Sequence, residues 1–349
     1  MDASTVRTLE VGVRSAPALR GGWIFSPVGD LVIFGAPLIL GLQLLWLDER
    51  VGLNDLRVGR WSLFTFMFAA AAFVDGGHQV STVFRSYLDP EVRRRQKRLL
   101  YWGPPCVMAT MLGIELAFGS AWLVYAFAYF QTYHVMRQQY GWASLTSAKA
   151  GEALSAAERL FDKVVIYGLV LFPLAWAHVA RPLSERRIPV SASPELARLF
   201  IAGFVLCLGA YLGRVIFKRV AGQPINGAKL LIVTATAVAW GGVLFFYSRI
   251  WPFLITLHHG IAYAAIIFVT TRKKSSQGQG IVARVWRHKL AALAFGVGVL
   301  GVAYMWGKVL RVLAGVPLVE HSGVTFTWLG ATTPVMHFLI DGVIWRRKA

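Results

Sequence analysis

"VMHFLIDGVIWRRK", residues 335–348, carries an apolar run into Trp345, Arg346, Arg347 and Lys348. A hydrophobic stretch closed by an indole and a basic cluster has the form of a membrane-spanning helix leaving the bilayer at its cytoplasmic face. Two polar residues interrupt it: His337 and Asp341 are four apart, so on a helix they share one face. A buried imidazole and carboxylate in so apolar a segment pose the functional question together with the structural one.

The rest of the chain repeats the first part of this pattern. Its 349 residues are 56% hydrophobic and 15% charged, with a mean hydropathy of +0.55, whereas a soluble domain carries about 25% charged residues. Apolar runs at 31–47, 61–86, 99–118, 121–142, 163–180, 197–217, 229–247, 250–271, 289–310 and 324–345 are each long enough to approach or cross a hydrocarbon core of about 30 Å as a helix. The fold class expected is all-α, a polytopic transmembrane helix bundle of about ten spans. Residues 1–349 form a single transmembrane domain with short loops. The polar segment 146–162 is expected as a cytoplasmic interfacial helix, and Pro104 and Pro105 as a late start or kink in the third span.

Basic residues set the orientation. Arg93, Arg94, Arg95, Lys97 and Arg98 follow the second run, Lys218, Arg219 and Lys229 separate the sixth and seventh, and Arg272, Lys273, Lys274, Arg284, Arg287 and Lys289 separate the eighth and ninth. Placing these with Arg346, Arg347 and Lys348 in the cytoplasm puts both termini inside, with the basic loop 181–199 as the one exception. The net charge of +19 is thereby a topology signal, and no nucleic-acid partner is implied. Cys106 and Cys207 both fall in apolar runs, which supports neither a disulfide framework nor a thiolate metal site. The first 20 residues lack the order of a cleaved signal peptide. An integral protein of a bacterial cytoplasmic (inner) membrane is the localisation expected.

Of eight histidines, His288 and His321 fall in loops and His178 near the outer end of a span. The other five, His78, His134, His258, His259 and His337, come from runs two, four, eight and ten, which this topology sends through the membrane in one direction. Each lies roughly 12–20 Å from the cytoplasmic end of its helix, so the five share a depth. Polar groups in a bilayer are costly unless paired, which makes them candidate metal ligands. Carboxylates accompany them: Asp75 three residues before His78, and Asp341 four after His337. Each is placed to bind the ion or to orient the imidazole through its second nitrogen. Glu115 is a further buried acid. Arg137, Gln138, Tyr140 and Tyr263 are expected to line the cytoplasmic approach, where Arg85 and Arg137 are placed to hold an anionic headgroup or carboxylate of a substrate. Gly260 permits close approach to the His258–His259 doublet.

A donor set of imidazole and carboxylate without thiolate suits iron, zinc, copper or manganese. At these five histidines the chain resembles the integral-membrane non-heme iron oxygenases, namely fatty-acid hydroxylases and desaturases and, more loosely, the Brp/Blh-type carotene dioxygenases. The resemblance is one of architecture, since neither an HxxxH nor an HxxHH box is present. It implies a mono- or dinuclear iron site, dioxygen as oxidant, a membrane lipid or lipid-soluble substrate, and an electron donor protein. Asp75, Asp341, Arg137 and Tyr263 would act in catalysis, while Arg85, Gln138 and Tyr140 would contact substrate. Two other functions fit intramembrane histidines: a b-type haem electron-transfer protein and a proton-coupled transporter with a His/Asp relay.

Overall fold

A computed structural model of the chain describes residues 21–52, 56–59, 61–63, 74, 77–79, 81–83, 85–180, 193–245, 251–276 and 328–344. These are overwhelmingly helical. Helix α1 spans Pro27–Val51 and contains a π-helical turn at Leu31–Gly35. A two-residue antiparallel pairing of Arg57–Val58 with Trp61–Ser62 follows, and the described residues 77–79, 81–83 and 85 are helical. Then come α2 (Pro90–Arg95), α3 (Lys97–Phe118), α4 (Ser120–Lys149), α5 (Ala156–Ala180), α6 (Pro194–Val220), α7 (Gly227–Phe245), α8 (Trp251–Ser276) and α9 (Trp328–Ile344).

Among the described residues, five helices are long and apolar enough to cross a membrane: Pro27–Val51, Lys97–Phe118, Ala156–Ala180, Pro194–Val220 and Leu254–Lys273. Gly227–Gly242 is a shorter apolar helix. The run expected at 289–310 lies outside the described residues, as do most of 61–86, the basic loop at 181–192, His288 and His321.

Helix α8 is central, with 56% of its apolar window buried against 11% in α3 and in α6. It packs on α1, where a Cβ added at Gly41 would fall 2.1 Å from Leu254 Cδ1, so the glycine is what lets the two backbones close. Helix α9 lies on α3 and α4, and α5 lies between α6 and α7. Leu38, Leu45, Val135, Met136, Val170, Trp240 and Leu254 form the largest described core cluster. The outward faces of α3 and α6 display Leu116, Phe118, Leu206, Ile216 and Phe217, all well exposed, as befits helices whose neighbours would be lipid rather than protein.

Two expectations need correction. Segment 146–162 is not one surface helix: its first residues are the last turn of α4 and its last the first turns of α5. Gly151, at φ +66°, reverses the chain between them, a conformation that favours glycine. Of the two outcomes expected at Pro104 and Pro105, the late start does not hold: helix α3 begins at Lys97, well before them, and continues as helix past both.

Charged residues close this end of the bundle. Lys229 Nζ lies 2.7 Å from Glu152 Oε2 and 3.0 Å from Asp162 Oδ2, while Arg214 reaches Asp162 at 3.1 Å and Glu158 at 2.7 Å. Four elements are thus pinned together: the α4–α5 turn, α5, α6 and α7. Burial alone would raise the Glu152 carboxyl, but the hydrogen bond and charge of Lys229 bring it below the ordinary carboxylate value. Nearby, Lys149 Nζ donates to the carbonyls of Trp23 and Ile24 at 3.1 and 2.6 Å. Buried Asp30 accepts from the backbone of Ile24 and Phe25.

Candidate metal centre

Four of the five expected histidines converge. Ring centroids are 4.7 Å apart for His78–His259, 4.8 Å for His78–His337, 4.9 Å for His134–His337 and 5.3 Å for His134–His259. The four rings come from four helical segments and all are buried. Two groups of donors lie within metal-binding reach, His78 with His259 and His337, and His134 with His337 and Asp341.

The distances decide how these donors relate. His78 Nε2 and His259 Nε2 are 3.1 Å apart. Asp341 Oδ2 lies 3.8 Å from His337 Nε2 and 3.9 Å from His134 Nε2, too far for hydrogen bonds. Ligands held about 2.0–2.2 Å from a common ion stand roughly 3–3.5 Å apart when adjacent, so the His78–His259 gap falls within that separation and the two Asp341 gaps exceed it by a few tenths of an ångström. Among the described residues, neither His134 Nε2 nor His337 Nε2 has a hydrogen-bond partner. A buried polar atom left so costs about 1–3 kcal/mol, a cost that a bound cation would offset.

Below the imidazoles lies a second layer, one helical turn further along three of the helices. Thr82 follows His78 by four residues, Tyr263 follows His259 by four, and Asp341 follows His337 by four. Their oxygens join: Thr82 Oγ1 is 2.9 Å from Tyr263 Oη, and Tyr263 donates to Asp341 Oδ1 at 2.5 Å. Thr82 Oγ1 also lies 2.5 Å from His337 Nδ1. Since imidazole meets imidazole and oxygen meets oxygen at the same offset, these three helical segments run parallel.

His258 is the exception. Successive helical residues point about 100° apart, so the doublet cannot send both rings to one ion. His258 joins neither group. Its Nδ1 is 3.4 Å from the Gln139 amide, which lies 3.2 Å from the Thr236 hydroxyl, and its ring meets Phe34 edge-on at 6.3 Å. Asp75 lies outside the described residues, and Glu115, half-buried on α3, joins neither donor group.

The residues expected at the approach disperse. Tyr263 is fully buried inside the centre. Arg137 is exposed, its guanidinium 5.8 Å over the Tyr133 ring. Tyr140 packs against Tyr167, about 120° around α4 from His134. Half-buried Gln138 sits one turn beyond His134, its amide atoms enclosed without a hydrogen-bond partner among the described residues. Arg85 lies two turns beyond His78 on the same face, half-buried. Gly260 does allow close approach: an added Cβ would meet Val74 Cγ1 at 3.0 Å and His78 Nδ1 at 3.4 Å.

Thr82 was not singled out in the sequence, nor were Gln139 and Thr236. The signal for Thr82 is its offset of four from His78, the spacing that ties Asp341 to His337. Compared with protein-family models, with curated proteins and with solved structures, the chain matches none.

Proposed function

We propose that the protein is a membrane-embedded, metal-dependent oxidoreductase holding one non-heme iron and using dioxygen on a lipid-soluble substrate. The observation that carries the reading is the buried convergence of His78, His134, His259 and His337 with Asp341, whose measured donor separations are 3.1, 3.8 and 3.9 Å. Several imidazoles with a carboxylate suit iron, and a bound iron with open positions supplies dioxygen activation. Zinc, copper and manganese accept the same donors.

His337 belongs to both donor groups while its Nδ1 is engaged by Thr82. A single ring nitrogen remains to be shared, which favours one ion over two. Direct contact of the His78 and His259 rings leaves no gap between them for a flat macrocycle, and this weighs against the haem alternative. A proton relay would need no co-ligand spacing.

The bilayer assignment rests on the five long apolar helices and the lipid-like exposure of α3 and α6. Helices α8 and α9 run parallel, so in a membrane the chain between them crosses an odd number of times. The apolar run 289–310 is long enough in sequence for such a crossing, and the topology proposed has ten spans with both termini in the cytoplasm, in a bacterial inner membrane. Arg85 and Gln138, each beyond the imidazoles toward the cytoplasmic side, are the residues we assign to a polar substrate end. Electrons would come from a donor protein.

Elemental analysis of the detergent-purified protein tests the reading, with about one iron per chain expected. Protein that retains no iron, zinc, copper or manganese after incubation with each would overturn it.

A further inference from the structure

Threonines in these helices generally return their hydroxyls to their own backbone. Thr110 donates to Cys106 O, Thr146 to Ala143 O and Thr270 to Ile266 O. Thr82 does otherwise: buried, it reaches across to two other helices, with Oγ1 2.9 Å from Tyr263 Oη and 2.5 Å from His337 Nδ1.

With Asp341 ionised and both Thr82 contacts made as hydrogen bonds, one proton order satisfies the chain. A carboxylate only accepts, so Tyr263 gives its single hydroxyl proton to Asp341 Oδ1. The contact between Thr82 and Tyr263 must then be made by the Thr82 proton, donated to the phenolic oxygen. Having spent its proton, the Thr82 oxygen can only accept from His337, whose Nδ1 must therefore carry hydrogen. A neutral imidazole protonated at Nδ1 presents its lone pair at Nε2. That is the atom facing Asp341 Oδ2 and the other rings.

We infer that Thr82 is a positioning residue: through the one-way chain His337 Nδ1–H to Thr82 to Tyr263 to Asp341, it fixes the tautomer of His337 and directs the Nε2 lone pair into the centre. Its purpose rests on the metal-centre reading, but the tautomer itself does not. The hydroxyl is the required group and the methyl is not, so serine can replace threonine and valine cannot.

The test has two arms. In metal-free protein labelled with 15N-histidine, solid-state NMR, with His337→Gln to assign the signal, is expected to find hydrogen on Nδ1 of His337 in wild type and in Thr82→Ser. In Thr82→Val that preference disappears. In Co2+ titrations, Thr82→Val is expected to weaken binding 10–100-fold, the usual range for a residue that orients a ligand, and to alter the ligand-field spectrum. Thr82→Ser restores both. Hydrogen on Nε2 in wild type overturns the inference, as does a Thr82→Val protein with unchanged affinity or a Thr82→Ser protein as weak as Thr82→Val. Wild-type protein that shows the Nδ1–H tautomer yet takes up no Co2+ sinks the metal reading while supporting the Thr82 assignment.

Discussion

Replacing His337 and His258 by alanine, in parallel, separates a ligand from a neighbour. His337 is the one donor common to both groups, and its loss leaves a His78–His259 pair and a His134–Asp341 pair with nothing to join them. Removing a group that only orients a ligand weakens metal binding 10–100-fold; loss of the shared ligand is expected to exceed 100-fold, or about 2.7 kcal/mol. His258, equally buried, points its Nδ1 at Gln139. Its removal costs the fold about 2–4 kcal/mol through the cavity and the lost hydrogen bond, but metal affinity stays within about threefold. Both variants lower the melting temperature of the metal-free protein, so stability alone does not distinguish them. The discriminating measurement is bound metal in chelator-buffered Fe2+ or Co2+, together with the metal-induced rise in melting temperature. At saturating metal the stabilisation behind that rise shrinks by about 2.7 kcal/mol in His337→Ala for each 100-fold loss of affinity, and the rise is unchanged in His258→Ala. Equal losses of metal in the two variants, or full occupancy in His337→Ala, would refute the reasoning.

Asp341→Asn keeps the side-chain shape but loses the charge facing His134 and His337; affinity is expected to fall by at least 10–100-fold, though less than for His337→Ala, which removes the donor common to both groups, and unchanged affinity would take Asp341 out of the centre. Gly260→Ala brings a Cβ to 3.0 Å from Val74 Cγ1, which must give by a few tenths of an ångström, and only into ordinary contact, 3.4 Å, with His78 Nδ1, so a loss of metal affinity smaller than that of Asp341→Asn is the expected result of the same titration. Glu152 has a lowered folded-state value, so its contribution to stability is fully present above the unfolded glutamate value of about 4.3 and is lost as the pH falls toward the lowered one. Melting temperature measured from about pH 6 downward should therefore drop less steeply in Glu152→Gln than in wild type, whereas identical slopes would count against the ion pair with Lys229.

The apolar runs made the helical bundle legible, because only a hydrophobic exterior explains so little charge. The convergence of His78, His134, His259 and His337 followed from their common depth, a quantity the sequence holds once helix direction is assigned. Which member of the His258–His259 doublet would face inward was less accessible, since depth is the same for both and rotation about the helix axis is set by packing. The clue lay one turn on: Tyr263 follows His259 with a hydroxyl, whereas Ala262 follows His258 with a methyl. The approach residues scattered because a single sequence records distance along a helix far better than azimuth. Tyr140 and His134 are six positions apart and therefore on different faces. The break at Gly151 was not legible for a local reason: 146–162 is rich in helix formers on both sides, and the positive φ of Gly151 with the non-helical residues 151–155 separates the two helices.

Nitrogen and oxygen contacts in the centre recur at the same four-residue interval, about 6 Å of rise, on three parallel segments. Sliding any one of them by a single residue, about 1.5 Å, breaks its partners in both tiers together. The tiers thus act as a two-toothed key that holds the segments carrying His78, His259 and His337 in axial register. Bilayers that are thicker or thinner than the bundle's apolar girth would have to deform lipid rather than shear these helices.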